Sequence, residues 1–213
     1  MNINELYIYF LECEDISTDS RSVKKNSLFF ALKGDNFDGN KYALEALNKG
    51  AKYAIIDDSN LKNPNFIKVQ DVLKSLQDLS AHHRIQLINT TIIAITGSNG
   101  KTTSKELMNS VFSFQNNTTS TIGNLNNHIG VPLTLLKIKK TTEFAIIEMG
   151  ANRLKEIAFL TNLIKPDLGY ITNFGKAHLE GFGDLNGVIK GKTELYDWLV
   201  KNNKPILINA DDE

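Results

Sequence analysis

The spacing of hydrophobic positions changes from segment to segment along the chain, and the changes mark its elements. Leu28-Phe29-Phe30-Ala31-Leu32 is an unbroken apolar run ended by Lys33-Gly34-Asp35, as in a short buried strand. From Tyr42 to Asn48 the apolar residues Ala43, Leu44, Ala46 and Leu47 recur at helical spacing, and Gly50 stands where a helix C-cap belongs. Ala54-Ile55-Ile56-Asp57 returns as a strand. After Pro64, Asp71 is placed to cap a helix carrying Val72, Leu73, Leu76 and Leu79 to about Gln86, a helix expected to bridge into a second unit.

From Thr90 onward strand and helix patterns alternate. Strands are predicted at Thr91–Thr96, Phe144–Glu148, Leu168–Thr172 and Pro205–Asn209, with helices near Thr102–Phe114, Arg153–Thr161 and Leu185–Val200. Strands this apolar, alternating with helices, imply a parallel sheet covered on both faces. The expected fold class is therefore α/β: a small α/β domain over residues 1–85, then a parallel-sheet domain over 86–213. Ligands of such sheets bind beyond the carboxyl ends of the strands. Four polar clusters fall there: Thr96–Thr103, Glu148-Met149-Gly150, Asn173–Glu180 and Asn209-Ala210-Asp211-Asp212. The sequence ends on Ala210-Asp211-Asp212-Glu213, directly after a predicted strand, and reads as a fragment.

Composition narrows the class. A length of 213 residues suits one or two domains with a real core. The 24 basic and 24 acidic residues cancel, which argues against nucleic acid or an anionic membrane as partner. A lone cysteine, Cys13, rules out an internal disulfide and suits a reducing compartment. Met1-Asn2-Ile3-Asn4-Glu5 lacks the basic and apolar regions of a signal peptide, and no apolar run of about eighteen residues is present. A cytoplasmic protein without membrane insertion, and a monomer, is expected.

The strongest chemical signal is the apolar run Ile92-Ile93-Ala94-Ile95 feeding Thr96-Gly97-Ser98-Asn99-Gly100-Lys101-Thr102-Thr103. Glycines let the backbone wrap phosphate oxygens, successive N–H groups are expected to point at them, and the helix start adds unpaired donors and a favourable dipole. Lys101 can reach the terminal phosphates, and Thr102 can offer its hydroxyl to Mg²⁺. The turn is shorter than the standard phosphate loop, which has a further glycine where Ile95 stands. A strand before and an amphipathic pattern after it (Leu107, Met108, Val111, Phe112) supply the required context for ATP or GTP.

Glu148, ending an apolar strand beside that loop, is placed to serve Mg²⁺ directly or through water. His178, between glycines in Asn173-Phe174-Gly175-Lys176-Ala177-His178-Leu179-Glu180-Gly181, is either a structural residue or part of a ligand loop. On the residues alone nothing separates Lys192 from Lys190. Gly123-Asn124-Leu125-Asn126-Asn127-His128-Ile129-Gly130-Val131-Pro132 is rich in amides able to read sugars, peptides or pyrophosphate, and equally reads as an ordinary turn. His82 and His83 are expected on the surface; Trp198 and the phenylalanines are expected in the core.

The segment Thr96–Thr103 resembles the shortened phosphate loop of the Mur ligases, the ATP-dependent amide ligases of peptidoglycan precursor synthesis. Gly123-Asn124-Leu125-Asn126-Asn127 through Ile129-Gly130-Val131-Pro132-Leu133-Thr134, and Ala177-His178-Leu179-Glu180-Gly181-Phe182-Gly183, resemble the member that joins D-alanyl-D-alanine to UDP-N-acetylmuramoyl-tripeptide. Asp19-Ser20-Arg21, Ser27–Gly34 and Phe37-Asp38-Gly39 resemble the family's uridine-nucleotide-binding domain, so the likeness covers nearly the whole chain.

The resemblance implies that ATP phosphorylates the tripeptide carboxylate and that the D-alanyl-D-alanine amine attacks the resulting acyl phosphate. It assigns ATP to Gly97, Ser98, Asn99, Gly100, Lys101, Thr102 and Thr103, with Lys101 on the β/γ-phosphates. Thr102 and Glu148 would hold one Mg²⁺, and His178 with Lys192, the latter carbamylated, a second. Lys101, His178 and Lys192 are thus the implied catalytic residues, and Ser20, Arg21, Phe37, Asp38, Gly39, Asn126 and Asn127 the substrate contacts. Asn40 stands where relatives often place a histidine. By the same likeness the chain lacks a C-terminal ligase domain and is expected to be inactive alone.

Three rival readings remain. Another Mur ligase or a folylpolyglutamate synthase-like ligase shares the loop, and a non-catalytic nucleotide-sugar binding module would share the N-terminal motifs. A GTPase-type switch would need an Asn-Lys-x-Asp motif, and the Asn-Lys pairs at 40–41, 48–49 and 203–204 lack the Asp.

Overall fold

A computed structural model describes residues 1–211, which divide into two compact units, 1–83 and 84 onward. In the first, α1 (Ile3–Leu11) opens on a reciprocal cap. Asn2 accepts from the Glu5 N–H, and the Glu5 carboxylate accepts from the Asn2 N–H. There follow β1 (Asp15–Ser17), β2 (Ser27–Phe30), a hairpin of β3 (Lys33–Gly34) and β4 (Phe37–Asp38), a 3₁₀ turn (Gly39–Tyr42) and α2 (Ala43–Asn48). The unit continues with β5 (Ala51–Ile56), β6 (Phe66–Lys68) and α3 (Val72–Gln86), whose last turn passes into the second unit. The Asp71 carboxylate accepts from the Lys74 N–H at 2.8 Å, the expected cap. Strands β1-β2-β5-β6 make a parallel sheet in that order, and Ala43 and Ala46 of α2 pack on Phe29, Ala54 and Ile56.

The second unit contains β7 (Thr91–Thr96), α4 (Lys101–Phe112), β8 (Thr118–Ser120), α5 (Gly130–Lys137) and β9 (Phe144–Glu148). It goes on with α6 (Glu156–Ile164), β10 (Leu168–Ile171), α7 (Leu179–Phe182), α8 (Leu185–Lys201) and β11 (Ile206–Leu207). The sheet order is β11-β10-β7-β9-β8, parallel throughout. The chain leaves β7 toward β8 and β9 on one side and later returns on the other through β10. The carboxyl end of β7 is therefore a topological switch point, where a crevice opens.

Several elements carry little periodic signal. β8 is a short threonine-rich edge, and α5 is buried around its circumference. α6 starts at Glu156 rather than Arg153, because Lys155 adopts a left-handed φ of 71°. In α4 the face packed on Ile93, Ile95 and Ile146 carries Met108 and Phe112, with Lys105 one turn earlier. Of the four positions predicted for the apolar stripe, Met108 and Phe112 lie on this face, while Leu107 and Val111 are exposed, at 64% and 73%.

The expected surface position of His83 is overturned: it is 5% exposed and bonded to the Tyr7 hydroxyl at 3.0 Å. The expected burial of the aromatics also fails in part, with Phe114 84% exposed and Trp198 half-buried, its indole N–H on Asn162. The last polar cluster follows β11, and its Asp212 lies outside the described residues. No helix among the described residues is long and apolar enough to cross a membrane.

Candidate functional site

At the end of β7 the chain turns through Gly97 (φ 141°) and Gly100 (φ 75°) into α4. A side chain at Gly97 would place Cβ 2.0 Å from Thr172 Oγ1, so the close passage of strand end against strand end requires glycine. The turn is clasped by the segment after β10. Ser98 N–H donates to the Asn173 carbonyl (3.1 Å), Asn99 N–H to Asn173 Oδ1 (3.1 Å), and Ser98 Oγ to the Gly175 carbonyl (2.9 Å). Thr172 and Asn173 donate in return to the Asn99 carbonyl. The N–H groups of Ser98 and Asn99, expected to face phosphate, are thus engaged within the protein. The donors left for an anion are those of the first turn of α4, which no side chain caps.

Lys101 folds back over this turn, donating to the carbonyls of Gly97 (2.9 Å) and Ser98 (3.1 Å). Burial lowers its pKa, and the charge of Glu148 opposes that shift. Thr102, next in the helix, donates its hydroxyl to Glu148 Oε2 at 3.0 Å; Thr103 is exposed. Glu148 is 1% exposed, accepts from Asn126 Nδ2 on Oε1 (2.8 Å), and makes no ion pair among the described residues. A buried carboxylate that no cationic side chain bonds directly is costly, and a divalent cation is the natural compensation. No group of three or more His, Cys, Asp or Glu assembles among the described residues. A pair contributing one carboxylate and one hydroxyl suits Mg²⁺, which keeps waters and phosphate oxygens in its shell.

The amide loop is internally committed. Asn126 braces Glu148 and accepts from Gly150 N–H through its carbonyl at 2.7 Å. Asn127 Oδ1 accepts from the N–H groups of Ile129 and Gly130, closing the turn that leads into α5. Both still line a cleft of about 680 Å³ that runs from Lys101 past His178 to Arg153 and Phe159. His178, at a left-handed φ of 54°, caps the short α7 on that wall.

Lys192 lies in the middle of α8 and is 1% exposed, whereas Lys190 is exposed. Its ammonium donates to the Ala151 carbonyl at 3.3 Å and sits 5.3 Å from the Phe182 ring centroid. Burial first, then the Lys101 charge, brings its pKa down to about 8. Two residues on, Glu194 accepts from the N–H groups of Lys155 and Ala158 at the start of α6, a clamp with no local sequence signal.

In the first unit, Ser20 is 8% exposed and Arg21 is held by Asp19 in a two-pronged pair (2.9 and 2.7 Å). That pairing pulls the Asp19 pKa down to about 2. Phe37 and Tyr42 stack at 9°, both exposed. Gly39 is required where its Cβ would meet the Leu32 carbonyl at 2.5 Å. Asn40 is 3% exposed; it donates to Asp38 and Asp57 and accepts from the N–H groups of Asp57 and Asp58. It braces the loop from inside, and its bond holds the Asp38 pKa down.

Comparison with known proteins matches residues 95–213 to the Mur ligase middle domain and residues 12–88 to the Mur ligase family catalytic domain. The UDP-N-acetylmuramoyl-tripeptide–D-alanyl-D-alanine ligase of Haemophilus influenzae is 42% identical over 207 residues, covering 94% of this chain and 45% of its own length. Its Bacillus subtilis counterpart is 38% identical, over 92% and 45%. Among solved structures, MurF from Acinetobacter baumannii superposes with a TM-score of 0.81 at 33% identity, covering 92% of this chain and 46% of that one. MurF ligase from Thermotoga maritima, in complex with ADP, gives 0.78 at 31%, over 89% and 44%. The chain spans less than half the length of the curated relatives it matches.

Proposed function

Because the chain belongs to the Mur ligase family, we propose that it carries the substrate-binding and ATP-binding parts of an ATP-dependent amide ligase joining D-alanyl-D-alanine to UDP-N-acetylmuramoyl-tripeptide. Residues 1–85 would take the uridine nucleotide through Ser20, Arg21 and Phe37–Gly39, and residues 86–213 would take ATP. The names of the relatives and the ADP held by the Thermotoga neighbour support this reading. The observation that carries it is the bond from the Thr102 hydroxyl, at the uncapped start of α4, to the buried Glu148 carboxylate.

In this reading Lys101 and the first turn of α4 bind and orient the terminal phosphates and stabilise charge as the phosphoryl group transfers. Thr102 and Glu148 would hold one Mg²⁺, which supplies charge neutralisation at the phosphates. His178 and Lys192, the latter carbamylated, would serve a second. The peptide carboxylate attacks the γ-phosphorus and ADP leaves. The amine of the dipeptide then attacks the acyl carbon, losing a proton as phosphate departs and the amide forms. A carboxylate is a poor electrophile, and phosphorylation converts its oxygen into a leaving group.

The test is ADP release by the full-length protein with each substrate omitted in turn. Release that needs ATP, the tripeptide nucleotide and the dipeptide together supports the reading. Turnover on a different acceptor, or nucleotide-sugar binding with no ATP chemistry, favours one of the rivals.

A further inference from the structure

Lys105 is the most deeply buried cation of the second unit that the proposed chemistry leaves unused. It is 0% exposed, one turn after Lys101 on the face of α4 that otherwise packs through Met108 and Phe112. Its ammonium donates to the Thr121 carbonyl at 2.7 Å and pairs with Glu106 at 2.8 Å. Removing an ammonium from water is expensive, and an apolar residue would pack this face at lower cost.

What the ammonium holds explains its presence. Thr121 is 1% exposed, its N–H donates to the Ile146 carbonyl, and its hydroxyl accepts from Glu148 N–H at 3.0 Å. Glu148 in turn receives Thr102 from the same helix and Asn126 from the loop that follows Thr121. Lys105 and Thr102 thus grip the two ends of one closed circuit: helix, Thr121, Glu148, helix.

We propose that Lys105 is a positioning residue, whose bond to Thr121 fixes the aim of the Glu148 carboxylate at Thr102 and so sets the affinity for the divalent cation that accompanies the nucleotide. The inference rests on the reading of Thr102 and Glu148 as the cation's ligands. In the proposed function Lys101 would reach the phosphates without passing through this circuit, so loss of Lys105 weakens metal-dependent nucleotide binding and leaves metal-free binding in place.

The experiment measures ADP affinity of the full-length protein by titration with a fluorescent ADP analogue, in excess Mg²⁺ and in EDTA. Lys105→Met keeps the side-chain length and removes the charge; Thr121→Val keeps the shape and removes the hydroxyl. Each is expected to lose about tenfold in Mg²⁺ and less than about twofold in EDTA, at unchanged far-UV circular dichroism. Lys105→Arg, which can still donate to the carbonyl, should recover part of the loss. Equal losses under both conditions, or none under either, overturn the inference, and if Lys105→Met does not fold, Thr121→Val decides by the same criterion. A wild-type protein whose ADP affinity ignores Mg²⁺ refutes the metal-ligand reading itself, and the Lys105 inference with it.

Discussion

Replacing Lys192 by methionine is expected to stabilise the protein near neutral pH while removing the turnover proposed for the full-length protein. The side chain is 1% exposed, and burial, reinforced by Lys101, lowers its pKa from 10.5 to about 8. That gap corresponds to about 3 kcal/mol. Below pH 8 both folded and unfolded chains hold the proton, and the folded state bears the whole cost of a buried charge. Between pH 8 and 10.5 the unfolded chain is still protonated and the folded one is not, so stability climbs as pH rises through that window. Methionine fills a similar volume without charge and forgoes the 3.3 Å bond to Ala151 and the ammonium's contact with the Phe182 ring, together about 1 kcal/mol. The variant should therefore gain about 2 kcal/mol near pH 7 and lose that advantage toward pH 10. Urea denaturation of both proteins across this range, without nucleotide and in carbon-dioxide-free buffer, measures the difference. A variant less stable at neutral pH, or a gap that does not change with pH, would refute the reasoning.

Three further outcomes follow from the same geometry. In the full-length protein Lys101→Ala should leave the fold intact and cut kcat by about a thousandfold or more, since a cation at the transferring phosphoryl group acts mainly in the transition state; near-normal kcat would remove Lys101 from that role. Asn40→Ala strips partners from Asp38 and Asp57 and from two backbone N–H groups, and should cost about 3 kcal/mol by urea denaturation. For Lys192→Ala in the full-length protein, turnover should be lost and partly restored by acetate, the carboxylate standing in for the carbamate; unaffected turnover would exclude the modification.

The sequence disclosed the second unit's sheet well because its central strands are buried on both faces and so are continuously apolar. Thr91–Thr96 and Phe144–Glu148 lie where the apolar runs lie. β8 was not legible, since Thr118–Ser120 is a half-buried polar edge whose pairing with β9 is decided by tertiary contact. The opening helix did have a signal, the Asn2-x-x-Glu5 capping box. In α4 the periodicity was half right: Met108 and Phe112 pack inward, but a lysine, Lys105, occupies the core position before them, and Leu107 and Val111 beside them are exposed. At the candidate site the phosphate turn, Glu148 and the strand-end placement could be read from local pattern. The commitments of Asn126 to Glu148, of Ser98 and Asn99 to Asn173, and of Glu194 to the start of α6 join residues far apart in sequence. No spacing rule reaches them.

The central claim is that this site phosphorylates a peptide carboxylate. It is tested most directly by supplying the full-length protein with UDP-N-acetylmuramoyl-tripeptide labelled with ¹⁸O in its terminal carboxylate, together with ATP and D-alanyl-D-alanine, and analysing the released phosphate by mass spectrometry. If an acyl phosphate forms, one labelled oxygen per turnover passes from the carboxylate to inorganic phosphate. Product formation with unlabelled phosphate, or no product at all, would contradict it.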